Sequence, residues 1–84
     1  MSQTEIRATV LKALGRIAPE VGEDEIDPRE SLREQADLDS MDFMNLVVAV
    51  GQDLGIEIPE DAYPELATLD GFVAWIAGRA AQPA

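Results

Sequence analysis

Cysteine and histidine are both absent from this chain of 84 residues. The first absence excludes disulfides and thiolate metal sites. The second removes the usual imidazole acid–base and every nucleophilic triad built on it. No apolar run approaches the roughly 20 residues that span a membrane, and no basic stretch leading into an apolar one opens the chain as a secretory signal would. Basic residues are scarce, six against seventeen acids, for a formal charge of −11. A phosphate backbone is bound by clustered Lys and Arg, so nucleic acid is a poor partner. These totals predict a cytoplasmic monomer that inserts into no membrane. One domain over residues 1–84 is expected, with a small core and modest stability.

What charge there is lies unevenly. Arg7, Lys12 and Arg16 fall in the first segment, whereas from Glu34 onward no basic residue occurs before Arg79. Acids such as Asp37, Asp39, Asp42, Asp53, Glu57 and Glu60 crowd that stretch. Such polarity steers basic partners towards the middle of the chain.

Helical periodicity dominates what is there. Ser2 and Glu5 have the spacing of a capping box, and Ile6, Val10, Leu14 and Ile17 follow at helical intervals, flanked by Leu11 and Ala13. Pro19 cannot continue the ladder, so this helix is expected to end near Ala18; Gly15 softens its last turn. Residues 19–39 show no sustained period. They form a long connection, expected to be ordered, with Val21, Ile26 and Leu32 as anchors and one helical turn over residues 31–35. Ile56 and Ile58 read as buried positions of an extended connector. Pro59 suits the first turn of a short helix from Glu60 to about Tyr63 or Leu66. Thr68 caps the last helix and Asp70 favours its dipole. Leu69, Phe72, Val73, Ile76 and Ala80 form that helix's inner face, with Trp75 at its edge; residues 81–84 should fray. The fold class predicted is all-α: a small four-helix bundle of three longer helices and one short one, with a long loop between the first and second.

The most informative stretch runs from Asp37 to Leu54. Ser40 precedes the strongest helical pattern and falls where an N-cap hydroxyl would sit. On a wheel of about 100° per residue, Phe43, Leu46, Val47, Val50 and Leu54 make one stripe, and Gly55 is placed as the C′ residue. Met41, Met44 and Val48 make a second apolar line on the order of 130° away, beside Asn45 and Gln52. Either the helix is central and buried nearly all round, or this line faces water. The small interior of such a bundle favours water. Methionines on an exposed face suit a surface that repacks against several partners. No His and no nearby Lys can activate Ser40, which makes it a poor catalytic nucleophile but leaves it able to accept a group from another enzyme.

Asp39-Ser40-Met41, with Ile26-Asp27-Pro28 and Ser31-Leu32 before it and Ile56-Glu57-Ile58-Pro59 after it, resembles the acyl carrier protein family over nearly the whole chain. In that family an Asp-Ser-Leu triplet opens the second helix; here Met41 stands in place of the Leu. The resemblance implies that Ser40 carries covalent 4′-phosphopantetheine. It implies that the protein is no enzyme but a substrate of a phosphopantetheinyl transferase, and that acyl-loading and acyl-transferring enzymes are its partners. Asp39, Met41, Asp42, Met44, Asn45 and Val48 are the expected partner-facing residues. In many members the bundle interior shelters the acyl chain, a role that Val47, Val50, Ile58, Leu66 and Val73 could take here.

Some features depart from the fatty-acid carriers. Those have Gly-Ala or Gly-Leu before the Asp-Ser, where this chain has Asp37-Leu38. Their second helix holds several glutamates, where this one has Asn45, Gly51 and Gln52. The departures point to a specialised lipid or secondary-metabolite pathway. Two rival readings are a peptidyl or aryl carrier, a class usually less acidic, and a small acidic adaptor with no prosthetic group. Calcium binding by Asp37, Asp39 and Asp42, or by Glu23 to Asp27, is disfavoured. Neither stretch has the ligand order, central Gly and terminal Glu of an EF-hand loop.

Overall fold

The computed structural model describes residues 2–80 and, among these, holds four α-helices and two 3₁₀ segments. α1 is Gln3–Ile17, α2 the single turn Leu32–Gln35, α3 Ser40–Leu54 and α4 Leu69–Ala80; 3₁₀ turns cover Glu23–Glu25 and Glu60–Leu66. The three long helices and the Glu60–Leu66 segment make the four-element bundle that the periodicity predicts. The expected tail at 81–84 and the inward position of the Ala80 side chain lie outside the described residues.

Each long helix starts where a short polar side chain can take an orphan N–H. The Ser2 hydroxyl accepts from the Glu5 N–H at 3.1 Å, and the Thr68 hydroxyl accepts from Gly71 at 3.0 Å. α1 stops at Ile17, with Ala18 as its cap, one residue before Pro19. α3 ends on Gly55 in the left-handed region, φ 68°. There the Ile56 N–H reaches the Gly51 carbonyl at 2.9 Å and the Gly55 N–H the Gln52 carbonyl at 3.4 Å, the paired bonds of a Schellman motif.

α1 packs on both α3 and α4, and the Glu60–Leu66 segment packs on α4. Ile6, Val10, Leu46, Val50, Leu66, Leu69, Phe72 and Ile76 are fully buried where these faces meet. Pro59 caps the 3₁₀ segment from outside rather than occupying its first turn. Ile56 and Ile58 are only partly buried, contrary to the expected burial. The connector holding them lacks a paired strand, so it runs over the outside of the bundle where water can meet its backbone.

The long connection is tied down at several points. Ile26 and Leu32 are buried as expected, joined by Ala36 and Leu38, and Val21 packs partly buried against the core. Ser31 caps α2, accepting from the Glu34 N–H at 3.3 Å. The Leu32 N–H donates to the Ala67 carbonyl at 2.8 Å and the Asp70 N–H to the Pro28 carbonyl at 3.0 Å, fastening the loop to the start of α4. The Gln35 amide acts as a staple within the loop. Its oxygen accepts from the Asp27 N–H at 2.7 Å, and its nitrogen donates to the carbonyls of Asp27 and Glu30 at 2.8 and 3.1 Å.

Candidate prosthetic-group site

Ser40 is the first helical residue of α3 and not its cap, which corrects the expected position by one residue. The cap is Asp39, whose carboxylate accepts from the Asp42 N–H at 2.8 Å. The Asp42 carboxylate returns the contact to the Asp39 N–H at 3.5 Å, a reciprocal capping box of two acids. Both side chains are short acceptors, so pattern alone does not separate Asp from Ser as the cap. The physical consequence is that the helix start is satisfied without the Ser40 hydroxyl. That hydroxyl is exposed and uninvolved in capping.

The turn leading into α3 is built for this placement. Asp37 has φ 54°, in the left-handed region that favours glycine. Leu38 then turns inward and is buried, while Asp39 and Ser40 face out.

Beside Ser40 opens a cleft of about 480 Å³ between α3 and the Glu60–Leu66 segment. Phe43, Met44, Tyr63, Pro64 and Ala67 give it a mainly apolar lining, and Ser31, Arg33 and Glu60 stand with Ser40 among its polar groups. The Phe43 and Tyr63 rings meet edge to face, centroids 5.8 Å apart, and so join the two walls. Sequence reasoning placed Phe43 in the core stripe and missed Arg33, Tyr63 and Pro64 as neighbours of Ser40. The one available signal was that Arg33 is the last cation before the acidic stretch. Of the five residues expected to shelter a chain in the interior, Val47, Val50, Leu66 and Val73 are buried in the core and Ile58 is partly buried, and none of them lines this cleft.

The second apolar line of α3 divides. Met41 is 59% and Val48 48% exposed, and Asn45 is exposed beside them. Met44 is half-buried and turns towards the cleft. Among the described residues no group of three or more acids is gathered closely enough to hold a metal ion, and no helix is long and apolar enough to cross a membrane.

An uncommitted hydroxyl at a helix start, opening onto an apolar cleft, suits covalent attachment of a long and partly apolar group. The carboxylates on either side of it are each engaged with a backbone N–H of the helix start. A family model described as a phosphopantetheine attachment site matches residues 4–76. The acyl carrier protein of Thermosynechococcus vestitus is 30% identical over 81 residues, 96% of this chain and 99% of that protein. The acyl carrier protein of Acidothermus cellulolyticus is 27% identical over 77 residues, covering 92% and 90%. That of Rubrobacter xylanophilus is 30% identical over 56 residues, covering 67% and 69%. The chain belongs to the acyl carrier protein family. The prosthetic group is therefore a covalent 4′-phosphopantetheine, which supplies a terminal thiol that this cysteine-free chain lacks.

Proposed function

We propose that Ser40 is the residue that carries the 4′-phosphopantetheine arm, and that the protein holds an acyl group on that arm and delivers it to partner enzymes. One observation carries this reading: Asp39 and Asp42 cap α3 between them, which leaves the Ser40 hydroxyl exposed at the mouth of an apolar cleft. In the loading step a phosphopantetheinyl transferase moves the group from coenzyme A. Ser40 Oγ gives its proton to a base of the transferase and forms the new bond to phosphorus, and adenosine 3′,5′-bisphosphate departs. Esterification there removes no hydrogen bond from the helix start, so the bundle tolerates it. The cleft gives the apolar part of the arm and its cargo a wall of Phe43, Met44, Tyr63, Pro64 and Ala67 to lie on.

Met41 and Val48, exposed on α3 with Asn45 between them, form the contact surface for partners, with Met44 at its edge. Asp39 and Asp42 add negative charge beside Ser40 that draws basic partner surfaces. An apolar, glutamate-poor α3 supports partners other than those of general fatty-acid synthesis, in a specialised lipid or secondary-metabolite pathway.

The decisive experiment is intact mass after incubation with coenzyme A and a broad-specificity phosphopantetheinyl transferase. Wild type is expected to gain one phosphopantetheine and Ser40→Ala none; modification of the alanine variant, or of neither protein, overturns the assignment. Efficient loading and elongation by a general fatty-acid synthase would overturn the specialised pathway. On acylation, the side-chain resonances of Met44 and Tyr63 should shift. Unchanged resonances would show that the cargo stays outside the cleft.

A further inference from the structure

Arg33 is out of keeping with its surroundings. It lies on α2, in a chain of net charge −11, with Glu34, Asp37, Asp39 and Asp42 close in sequence. Yet the one ion pair within 4 Å among the described residues joins Arg16 to Asp53 at 3.8 Å. Asp39 and Asp42 are engaged with each other's backbone. Glu60, the acid that lines the same cleft, is not paired with Arg33 either. The guanidinium is held by a different contact: its Nε donates to the Leu38 carbonyl at 3.4 Å. Leu38 lies two residues before Ser40, so this bond keeps the guanidinium beside the turn that presents Ser40. Among the described residues no hydrogen bond or ion pair engages the two terminal NH₂ groups, which are left for another acceptor. Arg33 and Ser40 line the same cleft, and among the described residues Arg33 is the only cation that does so.

We propose that Arg33, tethered to the Leu38 carbonyl in the cleft beside Ser40, pairs with the phosphodiester of the prosthetic arm and thereby directs the arm along the Phe43–Tyr63 wall. The inference rests on Ser40 being the attachment residue. A phosphodiester on Ser40 Oγ places a single negative charge beside the carboxylates of Asp39 and Asp42. A guanidinium offers that charge a two-pronged set of donors suited to phosphate oxygens, and it offsets the repulsion from the two acids. Once the phosphate is held, the rest of the arm has the apolar side of the cleft as its nearest surface.

The test uses the holo protein without cargo, its modification first verified by intact mass. Absence of the mass gain would count against the Ser40 assignment and not against Arg33. In modified wild type, the Arg33 Nε–Hε resonance is expected to shift from its apo position. The ³¹P resonance should differ from that of the same protein unfolded in urea. In holo Arg33→Gln, the ³¹P resonance should move to the unfolded value, and the holo-minus-apo shifts of the Met44 and Tyr63 amides should be lost. Arg33→Lys keeps the charge without the fork and should retain part of both. Because Arg33→Gln also removes the bond to Leu38, a salt titration of wild-type holo protein serves as a second measurement. The ³¹P displacement should shrink as salt screens the pair. Three results would overturn the proposal: an Arg33→Gln holo spectrum matching wild type, a ³¹P shift indifferent to salt, or an Arg33 response seen only after loading a cargo with a free carboxylate. The last would assign Arg33 to the cargo.

Discussion

Asp39 and Ser40 are adjacent, exposed and both able to cap a helix, and replacing each by alanine separates their roles. Asp39 makes the capping bond to the Asp42 N–H. Loss of such a cap costs about 1 kcal/mol, and loss of a negative charge from the first turn costs roughly 0.5 kcal/mol more at an exposed site. Asp39→Ala should therefore destabilise the unmodified protein by about 1.5 kcal/mol. For a domain of this size each kcal/mol moves Tm by roughly 4–8 °C, so the expected fall is about 6–12 °C. Asp39→Asn keeps an acceptor and loses the charge, so its fall should be about 2–4 °C. Ser40→Ala removes a hydroxyl that caps nothing and installs a better helix former, and its stability should stay within about 0.5 kcal/mol of wild type. Thermal melts followed by far-UV circular dichroism on the three unmodified variants decide the matter. If Ser40→Ala falls as far as Asp39→Ala, or if Asp39→Ala is neutral, the capping geometry of α3 is wrong. The Ser40 hydroxyl would then be committed to the helix start and not free for esterification. A neutral Ser40→Ala also makes that variant a clean control for loading, since failure to modify it could not be blamed on unfolding.

Gly15 lies inside α1 with nothing within 4 Å of where a Cβ would stand, so Gly15→Ala should raise stability by about 1 kcal/mol; a lowered Tm would refute this. Gly71 is the opposite case, because a Cβ there would land on the Glu65 carbonyl oxygen where the 3₁₀ segment crosses the start of α4. Gly71→Ala should cost about 1–3 kcal/mol in urea titrations, and a neutral result would mean that the segment packs further out. Against the net charge of −11 the described residues hold one exposed ion pair, Arg16–Asp53 at 3.8 Å, of a kind worth about 0–1 kcal/mol. Self-repulsion therefore goes largely uncompensated. Raising ionic strength from about 0.01 to 0.15 M, which shortens the screening length from about 30 to 8 Å, should raise Tm. A flat or falling Tm would contradict it.

The helices of this protein are legible in its sequence because their signals are short-range. Ser2 reaches Glu5, Thr68 reaches Gly71, and Pro19 ends α1, each within a few residues. The stripe of Phe43, Leu46, Val47 and Val50 is buried as its spacing requires, because a helix must bury its apolar face against a neighbour. Asp39-Ser40-Met41 opens α3, where the apolar pattern that follows it begins. Its cap was misplaced by one residue because Asp and Ser satisfy the same orphan N–H equally well.

The helical class, the helix limits to within a residue or so and the inner faces are set by the sequence, since each follows from bonds and periodicities within a few positions along the chain. Tertiary structure alone decided the cleft, where α3 and the Glu60–Leu66 segment bring Phe43 against Tyr63. It also decided the fastening of the long loop to α4 through Leu32 and Ala67. These contacts join residues far apart in the chain, and no local preference specifies them. They arise only when burial of the shared core brings the elements together, and that sets which polar side chains are left facing one another at its rim.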